Sequence, residues 1–234
     1  MKTLVIISHP DIKTSTTQAF LRDAQKNLKQ VTWHPLDVLY SNYQIQIEKE
    51  QQLLTQFDRI IFQFPMYWYS SPALLKKWED DVLTRNFVYL SEQASLKGKE
   101  LGIVTSLGMP LREYQRGGVE NFSISEMLIP YQALAKRAGM KFLKPFVISQ
   151  FAYMTNQKRA KCLIDYQNYI TNPKYDHFAN YEKWMIQQLN EFKQTLPDDK
   201  QLIFQTVIDQ IQNNADQLAE LNWEVNMMKK KEGY

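Results

Sequence analysis

Phe57-Asp58-Arg59-Ile60-Ile61-Phe62-Gln63-Phe64-Pro65-Met66-Tyr67-Trp68-Tyr69-Ser70-Ser71-Pro72 decides how the rest of the chain is read. Its first half is a short apolar run of the length of a buried strand. At Pro65 the run breaks into an aromatic loop. Pro72 then stands where Ala73-Leu74-Leu75-Lys76-Lys77-Trp78 begins a helix. Proline suits the first turn of a helix because its missing N–H would have no intrahelical partner there. Strand, loop and helix start together predict a site at the carboxyl end of a sheet strand, where open α/β sheets bind ligands. Flat apolar walls beside backbone N–H groups suit a planar heteroaromatic cofactor.

The same alternation extends on both sides. Thr3 to Ser8 is a β-branched apolar run, hence a buried strand. Thr14-Ser15-Thr16-Thr17 offers N-caps for a helix over Gln18 to Leu28, with Ala19, Phe20, Ala24 and Leu28 toward the core. Val31 to Leu36 reads as a second strand, weakened by Pro35, and Ile47 to Phe57 as a helix. Asp58 to Phe64 is the third strand, Pro72 to Leu83 a helix, and Leu101 to Ser106 the fourth strand. Ser125 to Ala138 is a helix closed by Gly139, and Lys141 to Ile148 is the fifth strand. Strands alternating with helices predict a parallel sheet covered on both faces.

Beyond Phe151 only helical patterns remain, over Asn156 to Thr171, Phe178 to Thr195 and Asp198 to Lys231. Asn172-Pro173 and Leu196-Pro197-Asp198 are the breaks. A domain over 1–172 and a helical extension over 173–234 are therefore expected. Leu202, Ile203, Val207, Ile211, Leu218, Leu221 and Val225 give the last segment a narrow apolar stripe, and Lys229-Lys230-Lys231 reads as a solvated helix end.

The 234 residues are 44% hydrophobic, enough for one large domain or a domain with an extension. With 28 basic and 25 acidic side chains the net charge is +3, too little to draw nucleic acid or a membrane surface. No apolar run reaches membrane-spanning length. Met1 to Ile7 reads as the first strand rather than a signal peptide. Cys162 is the single cysteine, which excludes an intrachain disulfide and a multi-cysteine metal site. A cytoplasmic protein without a metal is the expectation.

Three loops can carry chemistry. Ser8-His9-Pro10-Asp11-Ile12-Lys13-Thr14-Ser15-Thr16-Thr17 leads from the first strand into the first helix. A helix start offers unpaired N–H groups and a positive dipole end to an anion, and the hydroxyls, His9 and Lys13 add to that. With no glycine, it is neither a P-loop nor a dinucleotide fingerprint. Alone it reads equally as an ordinary capped turn. The Pro65 to Ser71 loop can line one edge of a flat ring with Trp68 or Tyr69 packed on it; any one of its aromatics reads equally as core. Only alternate ones share a side if the chain stays extended. The third loop starts at Thr105-Ser106-Leu107-Gly108-Met109-Pro110 and runs through Tyr114, Arg116, Gly117 and Gly118 to Asn121. Gly108 permits close backbone approach, and Gly117-Gly118 predicts mobility. Tyr114 and Arg116 are its candidates to act on a substrate. A loop this long in a compact domain is more often functional or disordered than a plain connection.

Together these loops resemble the flavodoxin-like NAD(P)H:quinone oxidoreductases of the DT-diaphorase group. The bacterial branch of general stress proteins and potassium-efflux ancillary reductases is the nearest. The residues that carry it are His9-Pro10 with Ser15; Asp58 through Tyr69, with Pro72 to Lys76 and Asp81; and Gly117-Gly118 with Pro130, Gly139-Met140 and Pro145-Phe146. The resemblance spans about Met1 to Ala152. It implies a doubly wound five-stranded parallel sheet in the order 2-1-3-4-5, followed by the helical extension. It implies FMN, with FAD as the alternative, at the carboxyl ends of the strands. By motif position His9, Ser15 and Thr17 approach the flavin phosphate. Pro65, Met66, Trp68 and Tyr69 hold the isoalloxazine ring, and Thr105, Ser106 and Gly108 its pyrimidine edge. Tyr114 falls near the active-site tyrosine, and Arg116 is the candidate to attract the nicotinamide phosphates. The implied chemistry is ping-pong hydride transfer from NADH or NADPH to a quinone, in a homodimer. An ancillary flavin-binding subunit of a partner protein, a one-electron carrier of the flavodoxin type and a flavin-free relative are the alternatives. Three departures from the family pattern are Gln18 in place of asparagine, Leu107-Gly108 in place of a glycine pair, and no clear counterpart of the active-site histidine of some members.

Overall fold

The computed structural model describes residues 1–90, 95–175 and 178–231. These form two compact units, Met1–Thr171 and Asn172–Tyr234.

In the first unit, strands β1 (Thr3–Ile7), β2 (Val31–Pro35), β3 (Arg59–Pro65) and β4 (Glu100–Leu107) are parallel, in the order β2-β1-β3-β4. Every residue of β1 and β3 is buried, as expected of central strands covered on both faces. The fifth strand is broken. β5 (Lys141–Phe142) pairs with Glu100 and Leu101, and β6 (Phe146–Ser149) pairs with Val104 to Leu107 on the same edge of β4. Pro145 sits in the gap and has no N–H to give the ladder. The order is thus 2-1-3-4-5 with the last strand in two pieces.

The crossovers are α1 (Thr16–Gln25), the short α2 (Leu36–Leu39) with α3 (Ile47–Thr55), α4 (Ala73–Val82), and α5 (Ile124–Met127) with α6 (Ile129–Arg137). α1 ends earlier than the sequence predicts, and its inward face is that predicted except at Ala19. Gln18, Leu21 and Ala24 are buried, whereas Ala19 is exposed. The single helix predicted over Ser125 to Ala138 is two. Pro130 removes the N–H that would bridge the junction at Leu128, and α6 restarts around it. A capping box on Ser123 and Glu126 opens α5. α7 (Asn156–Thr171) closes the unit. Its Tyr169 lies over β4, where a side chain on Gly102 would collide with the Tyr169 hydroxyl. Arg59, fully buried, donates to Glu100 at 2.7 Å and to the Tyr169 carbonyl.

A polar cluster lies under α3 and α4. The Glu50 carboxylate, 1% exposed, accepts from the Tyr40 hydroxyl at 2.5 Å and Trp78 Nε1 at 2.8 Å. His34 Nε2 lies 3.0 and 2.9 Å from its two oxygens. Burial alone would push the Glu50 carboxyl up; these partners bring it below its ordinary value instead.

In the second unit, α8 (Phe178–Lys193) and α9 (Asp198–Lys231) pack against each other. The Phe192 and Phe204 rings stand 5.5 Å apart, and Lys193 Nζ donates to Gln205 Oε1 at 2.5 Å. Among the described residues no helix is long and apolar enough to cross a membrane.

Candidate functional site

The carboxyl ends of β1, β3 and β4 carry the three loops, and side chains bring them to one rim. The ring of His9 meets Tyr67 edge-on at 6.4 Å, which joins the first loop to the second. The Met66 N–H donates to the Ser106 carbonyl at 3.0 Å. Glu120 of the third loop stands beside the Tyr69 hydroxyl and raises its pKa. Ser149, at the end of β6, ties down the third loop by donating to the Met109 carbonyl at 2.9 Å.

The first loop presents a capped helix start with its hydroxyls and amides. Ser15 caps α1 and accepts from the Gln18 N–H, while Thr16 and Thr17 occupy the first turn. The His9 N–H donates to Asp37 at 2.7 Å, and its Nδ1 accepts from the Asp11 N–H at 3.1 Å. An imidazole that accepts at Nδ1 carries its proton on Nε2 and can donate from there. Burial lowers the His9 pKa, against the opposing pull of Asp37 and Asp11. In its neutral form His9 can donate from Nε2.

Under this loop lies a chain of side chains that the sequence pattern did not reveal as a unit. Gln18 Oε1 accepts from Gln63 Nε2 at 2.7 Å, and Gln63 Oε1 accepts from the Tyr166 hydroxyl at 2.7 Å. Gln25 Nε2 donates to that same hydroxyl at 3.2 Å. Gln18 thus holds the start of α1 to β3. Its carboxamide is occupied in this way, and the departure from asparagine has a structural use.

The second loop is a tight turn. Tyr67 and Ser70 exchange both backbone hydrogen bonds, at 2.9 and 3.0 Å. Between them Trp68 and Tyr69 both have left-handed backbones, with φ of 45° and 64°. That pair of conformations defines a type I′ turn, which normally selects Asn and Gly. Two aromatic residues there are strained, and such strain concentrates at functional sites. Trp68 is 91% exposed and Tyr69 51%. Beneath the turn the Tyr131 hydroxyl lies among Glu79, Ser70 and Ser71. Burial pushes the Glu79 carboxyl up to about 7.

The third loop is held by its own backbone hydrogen bonds. The Glu120 N–H donates to the Glu113 carbonyl at 3.1 Å, and Gly118 and Asn121 close further turns. Gly117 has φ of 85°, and a side chain at Gly118 would run into the Glu113 backbone. Both glycines thus meet backbone positions where a side chain would be strained or blocked. Tyr114 is half-buried, and its pKa is raised by burial and then by Glu120 and Tyr69. Arg116 is exposed and points to Glu126 at 3.6 Å. Tyr69, Glu120, Phe122, Glu126 and Met127 line an open cleft of about 510 Å³. Glu120, Phe122 and Met127 were not foreseen, because no local pattern marks them.

Of the remaining predicted residues, Pro65 is buried at the end of β3, level with Ser106. Thr105 is fully buried, and its Oγ1 has no hydrogen-bond partner. No protein atom lies within 4 Å of where a side chain on Gly108 would be. The approach that Gly108 permits is thus open to a ligand and not filled by the protein. Cys162 is buried, which pushes its thiol up to about 11 and leaves it inert. No group of three metal-ligating side chains occurs among the described residues.

Anion donors at one end of the rim, an aromatic turn in the middle and an open glycine at the other end fit an elongated, flat, phosphorylated ligand such as a flavin mononucleotide. The family model described as flavodoxin-like fold matches residues 1–170. The chain is 46% identical over 169 residues to the uncharacterized NAD(P)H oxidoreductase YrkL of Bacillus subtilis, which covers 71% of this chain and 97% of that one. It also matches the crystal structure of an NADPH-quinone reductase from P. pentosaceus, with 44% identity and a TM-score of 0.69 over 74% of this chain and 99% of that one. A third match is general stress protein 14 of Treponema denticola in complex with FMN, at 33% identity and a TM-score of 0.68 over 73% of this chain and 98% of that one. The chain belongs to the flavodoxin-like NAD(P)H oxidoreductase family.

Proposed function

We propose that the protein is an FMN-dependent NAD(P)H:quinone oxidoreductase that works by a ping-pong exchange at the rim of β1, β3 and β4. The observation that carries this reading is the strained, exposed Trp68-Tyr69 turn, set between the α1 N-terminus and Gly108. Bound flavin would supply the chemistry, accepting hydride from NAD(P)H and delivering it to the quinone.

The residues of the chain bind and orient. Ser15, Thr17 and the first amides of α1 hold the phosphate, helped by the Nε2–H of neutral His9. Pro65, Met66, Trp68 and Tyr69 hold the ring system. Thr105, Ser106 and the backbone at Gly108 serve its pyrimidine edge, where donors favour a reduced, anionic ring. Tyr114, kept protonated at neutral pH by its raised pKa, donates to the acceptor oxygen. Arg116 stands at the outer edge of the cleft and attracts the phosphates of the dinucleotide.

FMN is favoured by the T. denticola relative, which was crystallised with it. For FAD, a groove of about 700 Å³ lined by Lys13, Arg22, Lys26 and Trp33 offers the remaining space for an adenylate.

Absorbance of the purified protein, identification of the released flavin and steady-state kinetics with NADH or NADPH against menadione test the proposal. Parallel double-reciprocal lines are expected. A colourless protein that takes up neither FMN nor FAD overturns it.

A further inference from the structure

Helices α8 and α9 differ in length by a factor of two. α8 has 16 residues and α9 has 34. At 1.5 Å per residue these span about 24 and 51 Å. Joined by a short break and touching at Phe192–Phe204 and Lys193–Gln205, the shorter helix lies along only the first half of the longer one. In the second half, Leu218, Leu221, Val225 and Met228 are 43%, 57%, 47% and 61% exposed. Helical segments that bury no apolar face are marginal in water.

The spacing of that face is not the 3.6-residue period of a helix packed on a globular core. Val207, Ile211, Asn214, Leu218, Leu221, Val225 and Met228 follow one another by alternating steps of four and three. That is a heptad seam, with Ile211, Leu218 and Val225 at a and Val207, Asn214, Leu221 and Met228 at d. Val207 is also exposed, at 48%. Trp223 and Met227 lie off the seam.

We propose that α9 pairs with α9 of a second copy of this chain, as a parallel, in-register, two-stranded coiled coil along the Val207–Met228 seam. The seam is complementary to itself in this arrangement only. Asn214 meets the Asn214 of the second copy, so that one carboxamide satisfies the other. Any register that set this carboxamide against an apolar side chain would leave it buried and unpaired, which opposes the alternatives. Glu224 at g faces Lys229 at the following e position of the second copy, an attractive pair at each side of the dimer. The other g-to-e pairs, Gln217 with Asn222 and Gln210 with Ala215, are uncharged. An antiparallel pairing of the same span would set Asn214 against an apolar residue and separate Glu224 from Lys229.

Two cysteine variants of the full chain test this. Leu221→Cys places a thiol in the seam, and Ala219→Cys places one at b, facing outward. The native Cys162 is buried. Under mild oxidation Leu221→Cys is expected to run at twice the chain mass, while Ala219→Cys stays predominantly at the single-chain mass. Adding Leu218→Glu to Leu221→Cys is expected to remove most of the cross-link, with helix content checked by circular dichroism. The readout comes from α9 itself, so it does not depend on whether the flavodoxin-like unit also dimerises. Absence of the Leu221→Cys product, or equal yields at the two positions, overturns the proposal and leaves the seam to a helix of another protein.

Discussion

Two sites in this molecule use the same four residue types to opposite ends. One is His34, Tyr40, Trp78 and Glu50, folded into the interior with the Glu50 carboxylate at their centre. The other is His9, Tyr69, Trp68 and Glu120, gathered at the rim of the sheet. In the first, Trp78 is fully buried and each partner reaches the carboxylate; in the second, Trp68 is 91% exposed on a left-handed backbone. Residue type alone does not separate structure from function. Satisfied hydrogen bonds and burial mark the first set as a support. Strain and exposure, which cost stability and return none, make the second the candidate site for a ligand.

If that contrast is right, removing a carboxylate should matter far more inside than at the rim. Glu50→Ala strands the Trp78 N–H, the Tyr40 hydroxyl and His34 in the interior. It is expected to cost about 3–5 kcal/mol in urea denaturation, the scale for breaking a buried charged network. Glu120→Ala is expected to change stability by less than about 0.5 kcal/mol, as surface substitutions do. Equal losses would break the comparison.

Acidity sharpens it further, because two buried carboxyls shift in opposite directions. The folded pKa of Glu79 is raised to about 7, so the folded state holds a proton that the unfolded state releases. Stability from this group is present below the unfolded value near 4.5 and is lost as pH rises through about 7. The full difference is worth up to about 3 kcal/mol. The folded pKa of Glu50 is lowered, so its contribution is present above the unfolded value and is lost as pH falls through the folded one. The wild-type protein is therefore expected to gain stability from pH 8 to about 5 and to lose it in stronger acid. Glu79→Gln should remove the first trend and leave the second. Unfolding curves at stepped pH for both proteins measure this.

The sequence exposes the rim better than the support. The apolar run Arg59–Pro65 ending in an aromatic loop is a local signal, and it locates the site. Pro72 and Ser15 place the two helix starts within a residue or two. What the pattern could not carry is long-range pairing. The Glu50 cluster joins residues of β2, α3 and α4, and the Gln18–Gln63–Tyr166 chain spans more than a hundred positions. Neither has a spacing to read. Turn type escaped for a different reason. Tyr67-Trp68-Tyr69-Ser70 contains none of the residues that a type I′ turn selects, so the loop was legible but its turn type was not. Gly117-Gly118 is ambiguous for a related reason, since glycine marks a required conformation as readily as a flexible one.

At the rim itself, Trp68→Ala is expected to weaken FMN binding about tenfold, from a lost aromatic contact of about 1 kcal/mol or somewhat more. Fluorescence titration of the apoprotein measures it. The melting temperature of that apoprotein should hardly move, because Trp68 buries almost nothing in the free chain.

The smallest effect is the most discriminating, because its sign is unusual. Trp68→Asn with Tyr69→Gly supplies the residues that the left-handed turn asks for, at φ of 45° and 64°. Relief of strain at two positions should raise the stability of the apoprotein by about 1 kcal/mol. The Tyr67–Ser70 hydrogen bonds stay in place, since they involve only backbone. The same pair of substitutions removes both flat side chains from the rim, so FMN should bind more weakly as the fold becomes more stable. A variant that loses stability would mean that Trp68 and Tyr69 hold the turn together, and the rim would then belong with the Glu50 cluster as a support. A variant that gains stability and keeps its affinity would move the ring-binding surface away from this turn, toward the Thr105–Gly108 edge.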